Sequence, residues 1–99
     1  MNHPEYPSGH GFWTTGVLEA VNAFFGTNRV WWTLATSKAA VPNLVQAERS
    51  YDRLNAIMHD MTNARVWGGL HWRHSIRHGA QIGRHVAAHV VRHFFRPAP

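Results

Sequence analysis

The apolar positions of this chain fall into three helical stripes. From His10 to Phe25, the residues Phe12, Trp13, Val17, Leu18, Val21, Phe24 and Phe25 recur at three- and four-residue steps, which predicts an amphipathic helix. Ser8 is a natural N-cap for it and Gly26 a natural stop. A second stripe, Leu44, Ala47, Tyr51, Leu54, Ile57, Met58 and Met61, predicts a helix from Leu44 to about Asn63. The Gly68-Gly69 pair in the stretch from Ala64 to Leu70 should end it and turn the chain. A third helix is expected from about His71 to Phe95. On a wheel of roughly 100° per residue, Trp72, Ile76, Gly79, Gly83, Val86, Val90 and Phe94 share one sector, and Arg73, Arg77 and Arg84 share another. Gly79 and Gly83, four apart on the apolar side, would let a neighbouring helix approach closely.

The intervening segments are less regular. Met1 to Tyr6 reads as an extended lead-in, because Pro4 and Pro7 disfavour helix in the residues before them. In the stretch from Thr27 to Asn43, Val30-Trp31-Trp32-Thr33-Leu34 has strand-like composition. It has no evident partner run, so the stretch is expected to be irregular or briefly extended. The fold class that follows is all-α, a partial helical bundle of about three helices. Taken alone, such a bundle would leave apolar surface uncovered, with Trp31, Trp32, Trp67 and Trp72 the first candidates.

Size and composition narrow the picture. Ninety-nine residues make one domain at most, 1–99. A hydrophobic fraction of 44% argues against wholesale disorder. The absence of cysteine excludes disulfides, thiolate metal sites and cysteine nucleophiles, and it leaves the compartment open. No run approaches the length of a transmembrane helix, and the N-terminus is not patterned as a signal peptide. Ten basic residues face five acids, nine of the ten are arginine, and no acid occurs from Arg65 onward. That imbalance suits an anionic partner, and arginine favours planar, bidentate contact with oxyanions.

Two short segments carry the candidate chemistry. In Pro7-Ser8-Gly9-His10, a Ser-Gly pair opens a helix and exposes unpaired backbone N–H groups at the positive end of its dipole, a natural oxyanion seat. Ser8 adds a hydroxyl, and His10 adds a group that titrates near neutrality. In Arg65-Val66-Trp67-Gly68-Gly69-Leu70-His71, an arginine able to clamp two oxygens precedes a histidine able to act as metal ligand or nucleophile. Taken singly, each segment also has a plain structural reading: an N-cap before a surface histidine, and a helix C-terminus followed by a glycine turn. Elsewhere, His85, His89 and His93 are four apart and could chelate a divalent metal between adjacent turns. A solvated, histidine-rich helix face accounts for them more simply, because no carboxylate accompanies them.

In order and spacing, the two segments together resemble the second and third active-site motifs of the vanadium-dependent haloperoxidases and their relatives, the type 2 phosphatidic acid phosphatases. The flanking Trp67-Gly68-Gly69, His71-Trp72-Arg73, and the residues Gly79, Ile82, Gly83, Val86 and Ala87 resemble the haloperoxidase-like members especially. The likeness covers roughly residues 4–96. It implies an oxidoreductase, a peroxidase whose vanadate cofactor binds peroxide and oxidises a halide without changing the oxidation state of the metal. His71 would bind the vanadium of vanadate axially, and His10 would be the acid–base group beside the apical oxygen. Ser8, the Gly9 amide and Arg65 would hold the equatorial oxygens. In an acid phosphatase of the same superfamily, His71 would instead attack phosphorus.

Two departures from the family pattern stand out. The first motif, an upstream Lys and Arg, has nowhere to sit, since only six residues precede Pro7. The Asp that usually orients the axial histidine from four residues further on is replaced by Ser75. The chain is therefore expected to be the C-terminal part of such a protein, a truncated or fragmentary domain with an incomplete site. Expected partners are a small oxyanion, peroxide and a halide, together with an upstream segment or second chain that completes the bundle. A homo-oligomer is left open, and nucleic acid is not expected because no motif for it accompanies the basic helix. The reading from a different class is a non-catalytic, His/Arg-rich helical module that binds anions or metals through its last helix.

Overall fold

A computed structural model describes residues 3–37 and 40–99 of the chain. The expected lead-in at residues 1–2 and positions 38–39 of the irregular stretch lie outside the described residues. The elements run α1 (Gly9–Phe25), β1 (Trp32–Ala35), β2 (Glu48–Tyr51), α2 (Leu54–Trp67) and α3 (Arg73–His93). The architecture is predominantly helical, as the stripes predict, with a small antiparallel hairpin added.

The local signals explain the ends of α1. The Ser8 hydroxyl accepts the Gly11 N–H at 3.1 Å, a side-chain N-cap. At the other end Gly26 takes the left-handed conformation (φ 68°), and its N–H donates to the Asn22 carbonyl at 2.8 Å. Gly68 caps α2, and Gly69, at φ 70°, reverses the chain in a conformation that glycine adopts without a Cβ clash.

Between residues 27 and 53 the structure departs from the expectation. The run Trp32–Ala35 does have a partner, Glu48–Tyr51, in the register Trp32↔Tyr51, Thr33↔Ser50, Leu34↔Arg49 and Ala35↔Glu48. The predicted second helix therefore begins ten residues late, at Leu54 rather than Leu44, and continues to Trp67. Long-range partners decide this boundary. The first N–H groups of α2 are taken by a residue far back in the chain: the Asn28 carbonyl accepts from Leu54 at 3.0 Å and the Asn28 side chain from Asn55 at 3.2 Å. The hairpin is tied to α2 by Asp60, whose carboxylate accepts from Tyr51 Oη at 2.9 Å and pairs with Arg49 Nε at 3.0 Å.

Two packing regions hold the elements together. Leu18, Leu54 and Ile57 form a small apolar cluster backed by Val21, Val30, Trp32, Tyr51 and Met58. The second region is the α1–α3 contact, where backbone meets backbone. A Cβ at Gly11 would lie 2.6 Å from the Ile76 carbonyl oxygen, one at Gly79 would strike the Ser8 carbonyl, and one at Gly83 the Phe12 carbonyl. The close approach read from Gly79 and Gly83 is present, with Gly11 completing it from the facing helix.

The buried sector of α3 comprises Ser75, Ile76, Gly79, Ala80, Gly83 and Ala87. It is turned toward Ala80 and Ala87 from the sector expected, so Trp72 and Val86 stand outside. Trp31, Trp67 and Trp72 are 74%, 78% and 70% exposed, whereas Trp32 is half-buried against the apolar cluster. The radius of gyration, 15.3 Å, exceeds the roughly 13 Å usual for a compact chain of this length. Three helices in this arrangement leave an open apolar groove of about 240 Å³ between α1 and α3, lined by Trp13, Gly16, Val17, Val86, Val90 and Val91 among others. No helix is long and apolar enough to cross a membrane among the described residues.

Candidate functional site

The N-terminus of α1 and the turn between α2 and α3 are brought together by the glycine contact. Ser8 is fully buried, and its N–H donates to the Ser75 carbonyl at 3.2 Å. On the other side, the Arg65 carbonyl accepts the Leu70 N–H at 3.0 Å and the His71 N–H at 3.3 Å. The Gly68-Gly69 turn thus folds His71 back onto the last turn of α2, beside the residue that bears the arginine.

His71 is the best-defined side chain of the group. It is buried, and its Nδ1 lies 2.7 Å from the main-chain carbonyl of Glu5. A carbonyl only accepts, so Nδ1 carries the proton and, in the neutral ring, Nε2 keeps its lone pair. Ser75, also fully buried, donates its hydroxyl to the same Glu5 carbonyl at 2.5 Å. Ser75 therefore shares the imidazole's anchor, the Glu5 carbonyl. The Glu5 carboxylate accepts the Trp72 N–H at 2.9 Å and stands 3.7 Å from His71 Nδ1. The Trp72 N–H is the main reason that this carboxyl is held below its usual range. Burial opposes it, while the Ser75 hydroxyl and the histidines at 74 and 71 favour it.

His3 stacks on His71 with ring centroids 5.1 Å apart, and both its nitrogens are buried without a hydrogen-bond partner. Arg65 Nε is likewise buried and unpartnered. His10, one residue into α1, is exposed at the surface of the group. Partial burial of its ring, and then the positive charges of Arg65, His71 and His3, push its pKa below the ordinary 6.5. Gly9 is exposed, and nothing lies within 4 Å of where its Cβ would stand. The Ser8 oxygen is occupied by the N-cap bond, but its O–H remains available as a donor.

A cavity of about 230 Å³ opens beside His71, lined by Glu5, Val66, Gly69, Leu70, His71 and Trp72. Arg65 and His10 do not line it. Glu5 and His3 were not legible as site residues in the sequence. Each stands more than sixty positions from His71, and neither belongs to a spaced motif. On α3, the His89 and His93 rings stack at 4.3 Å and His93 Nδ1 lies 2.8 Å from the His89 carbonyl. Among the described residues, no group of three or more His, Asp or Glu side chains is arranged to hold a metal ion.

The family model of the VCPO second helical-bundle domain matches residues 1–98. The chain belongs to the vanadium haloperoxidase superfamily. No curated protein and no solved structure matches it. Within a haloperoxidase-type helical bundle, the glycine-mediated α1–α3 contact holds the Pro7-Ser8-Gly9-His10 segment against the helix that follows His71.

Proposed function

We propose that this haloperoxidase-superfamily chain forms part of an oxyanion site in which His71 Nε2, Arg65, Ser8 and the Gly9 amide would hold vanadate. The observation that carries the reading is the His71–Glu5 hydrogen bond, because it fixes the tautomer that leaves Nε2 unprotonated. The donor set suits an oxyanion. Arg65 Nε and the His3 ring nitrogens are buried with nothing to bond to, a state that normally costs about 1–3 kcal/mol per group, and an anion's oxygens could accept from the Arg65 Nε–H and the His3 N–H.

When bound, vanadate supplies the Lewis acid with which haloperoxidases activate peroxide toward a halide. The chain's own residues bind and orient. His71 is held rigid by its anchor. Arg65 presents a planar fork of donors to an anion. His10, neutral at pH 7 because its pKa lies below 6.5, can accept a proton at the edge of the site and return it. An upstream Lys and Arg would add two further cations. Each such charge-assisted contact strengthens anion binding by roughly 1.5–3 kcal/mol.

Calorimetric titration with vanadate tests the reading. Native chain and His74→Ala should bind, phosphate should compete, and His71→Ala should abolish binding. Equal losses for His71→Ala, His74→Ala and His89→Ala would reduce the effect to general attraction by a basic helix. Hydrolysis of a phosphate monoester through a phosphohistidine at position 71 would favour the phosphatase chemistry of the same superfamily.

A further inference from the structure

A histidine that ligates a metal needs a group behind it that fixes the ring and raises its basicity, and loss of such a group typically costs about 10–100-fold in affinity. Residue 75, a serine, cannot supply a charge. We propose that Glu5 is the positioning residue of His71: its main-chain carbonyl and its carboxylate together hold the ring proton at Nδ1, and the carboxylate supplies the negative charge that Ser75 lacks. The assignment rests on the reading of His71 as the residue that meets the anion.

Four contacts place Glu5 there. Its carbonyl receives both His71 Nδ1–H at 2.7 Å and the Ser75 hydroxyl at 2.5 Å. Its carboxylate oxygen Oε1 lies 3.7 Å from the same Nδ1. That oxygen is kept in place by the Trp72 N–H, 2.9 Å away, at the start of α3. Trp72 occupies the N-cap position and makes no side-chain cap bond, so the carboxylate of Glu5 serves the helix terminus from another part of the chain. A carboxylate beside Nδ1 stabilises the proton there. The electron density of the ring is then directed to Nε2, the nitrogen that faces away from Glu5. Ser75 supports the arrangement by bonding the same carbonyl, and its own carbonyl holds Ser8.

Glu5→Gln is the decisive variant, because it keeps an oxygen for the Trp72 N–H and leaves the main-chain carbonyl in place while removing the charge. Nitrogen NMR of the imidazoles should show His71 as the Nδ1–H tautomer in the native chain, with the Nε2–H form becoming visible in Glu5→Gln. The vanadate dissociation constant should rise about 10–100-fold. Ser75→Asp should restore affinity in the Glu5→Gln background. In the native background it places a second carboxylate beside Glu5 and should bring no gain. Glu5→Asp, with a shorter reach, should show the same change in tautomer to a smaller degree, and it decides the matter if Glu5→Gln does not fold. An unchanged tautomer and unchanged affinity in the variants would overturn the proposal and leave Glu5 as a helix cap alone. If the native chain binds no vanadate, the functional reading fails, but the ring spectra still decide the role of Glu5.

Discussion

The carbonyl of Ser8 rests against the α-carbon of Gly79. No Cβ fits between them, and an added one would also come within 3.1 Å of the Phe12 nitrogen. The contact joins the N-cap of α1 to the first half of α3, and through Ser75 and Glu5 it reaches His71. The geometry of the candidate site therefore depends on a glycine that makes no chemical contribution of its own.

Gly79→Ala should destabilise the chain despite the better helix propensity of alanine. The propensity gain is about 1 kcal/mol, whereas forcing two backbones apart costs typically 1–3 kcal/mol or more, with further loss wherever packing separates. Gly9→Ala, where nothing lies within 4 Å, should be neutral or slightly stabilising. Urea unfolding of the two variants gives the comparison: a clear loss is expected for Gly79→Ala and none for Gly9→Ala.

His10 should titrate below 6.5 in the folded chain. Its folded pKa is depressed, so the unfolded chain binds the proton more readily. The stability contributed by neutral His10 is complete above 6.5 and is lost as pH falls through the folded value. Arg65→Gln should move the titration part of the way back toward 6.5. The return is partial because burial, the larger cause, is unchanged. Proton NMR of the His10 ring reads both effects, and an unmoved titration would separate Arg65 from His10.

Tyr51 should hold its phenolic proton past pH 10, because burial, and then its hydrogen bond to Asp60, disfavour the phenolate. The folded pKa is raised, so its stabilising contribution is present below 10 and declines as pH rises through the folded value. Tyr51→Phe should flatten that alkaline decline. Asp60→Ala should cost about 1 kcal/mol, since it removes one half-buried hydrogen bond and one exposed ion pair. Thermal unfolding across the pH range checks both.

Local signals were legible where the partners are local. The Ser8 cap, the Gly26 and Gly68-Gly69 stops, and the glycine approach on α3 all operate within a few residues or by the absence of a side chain. The hairpin was not legible, because Glu48-Arg49-Ser50-Tyr51 is polar and mostly exposed, and Leu44, Ala47 and Tyr51 happen to continue the helical period of α2. Its strand pairing and the late start of α2 are set by Asn28 and Asp60 across the fold. The same limit applies to the candidate site. The spaced motif around Arg65 and His71 stands out along the chain, whereas Glu5 and His3 reach His71 only once α3 has packed on α1. The departure at Ser75 reads as a missing carboxylate in sequence; in space a carboxylate from Glu5 stands beside the ring.

The proposed site stands or falls on whether His71 presents an unprotonated Nε2 to an oxyanion. Nitrogen NMR of the chain labelled at histidine, recorded before and after addition of vanadate, decides it. In the neutral ring, Nδ1 of His71 should be protonated and Nε2 bare, with Nε2 shifting on vanadate addition while Nδ1 keeps its proton. A His71 ring protonated at Nε2, or one whose resonances ignore vanadate while those of His85, His89 and His93 move, would contradict it.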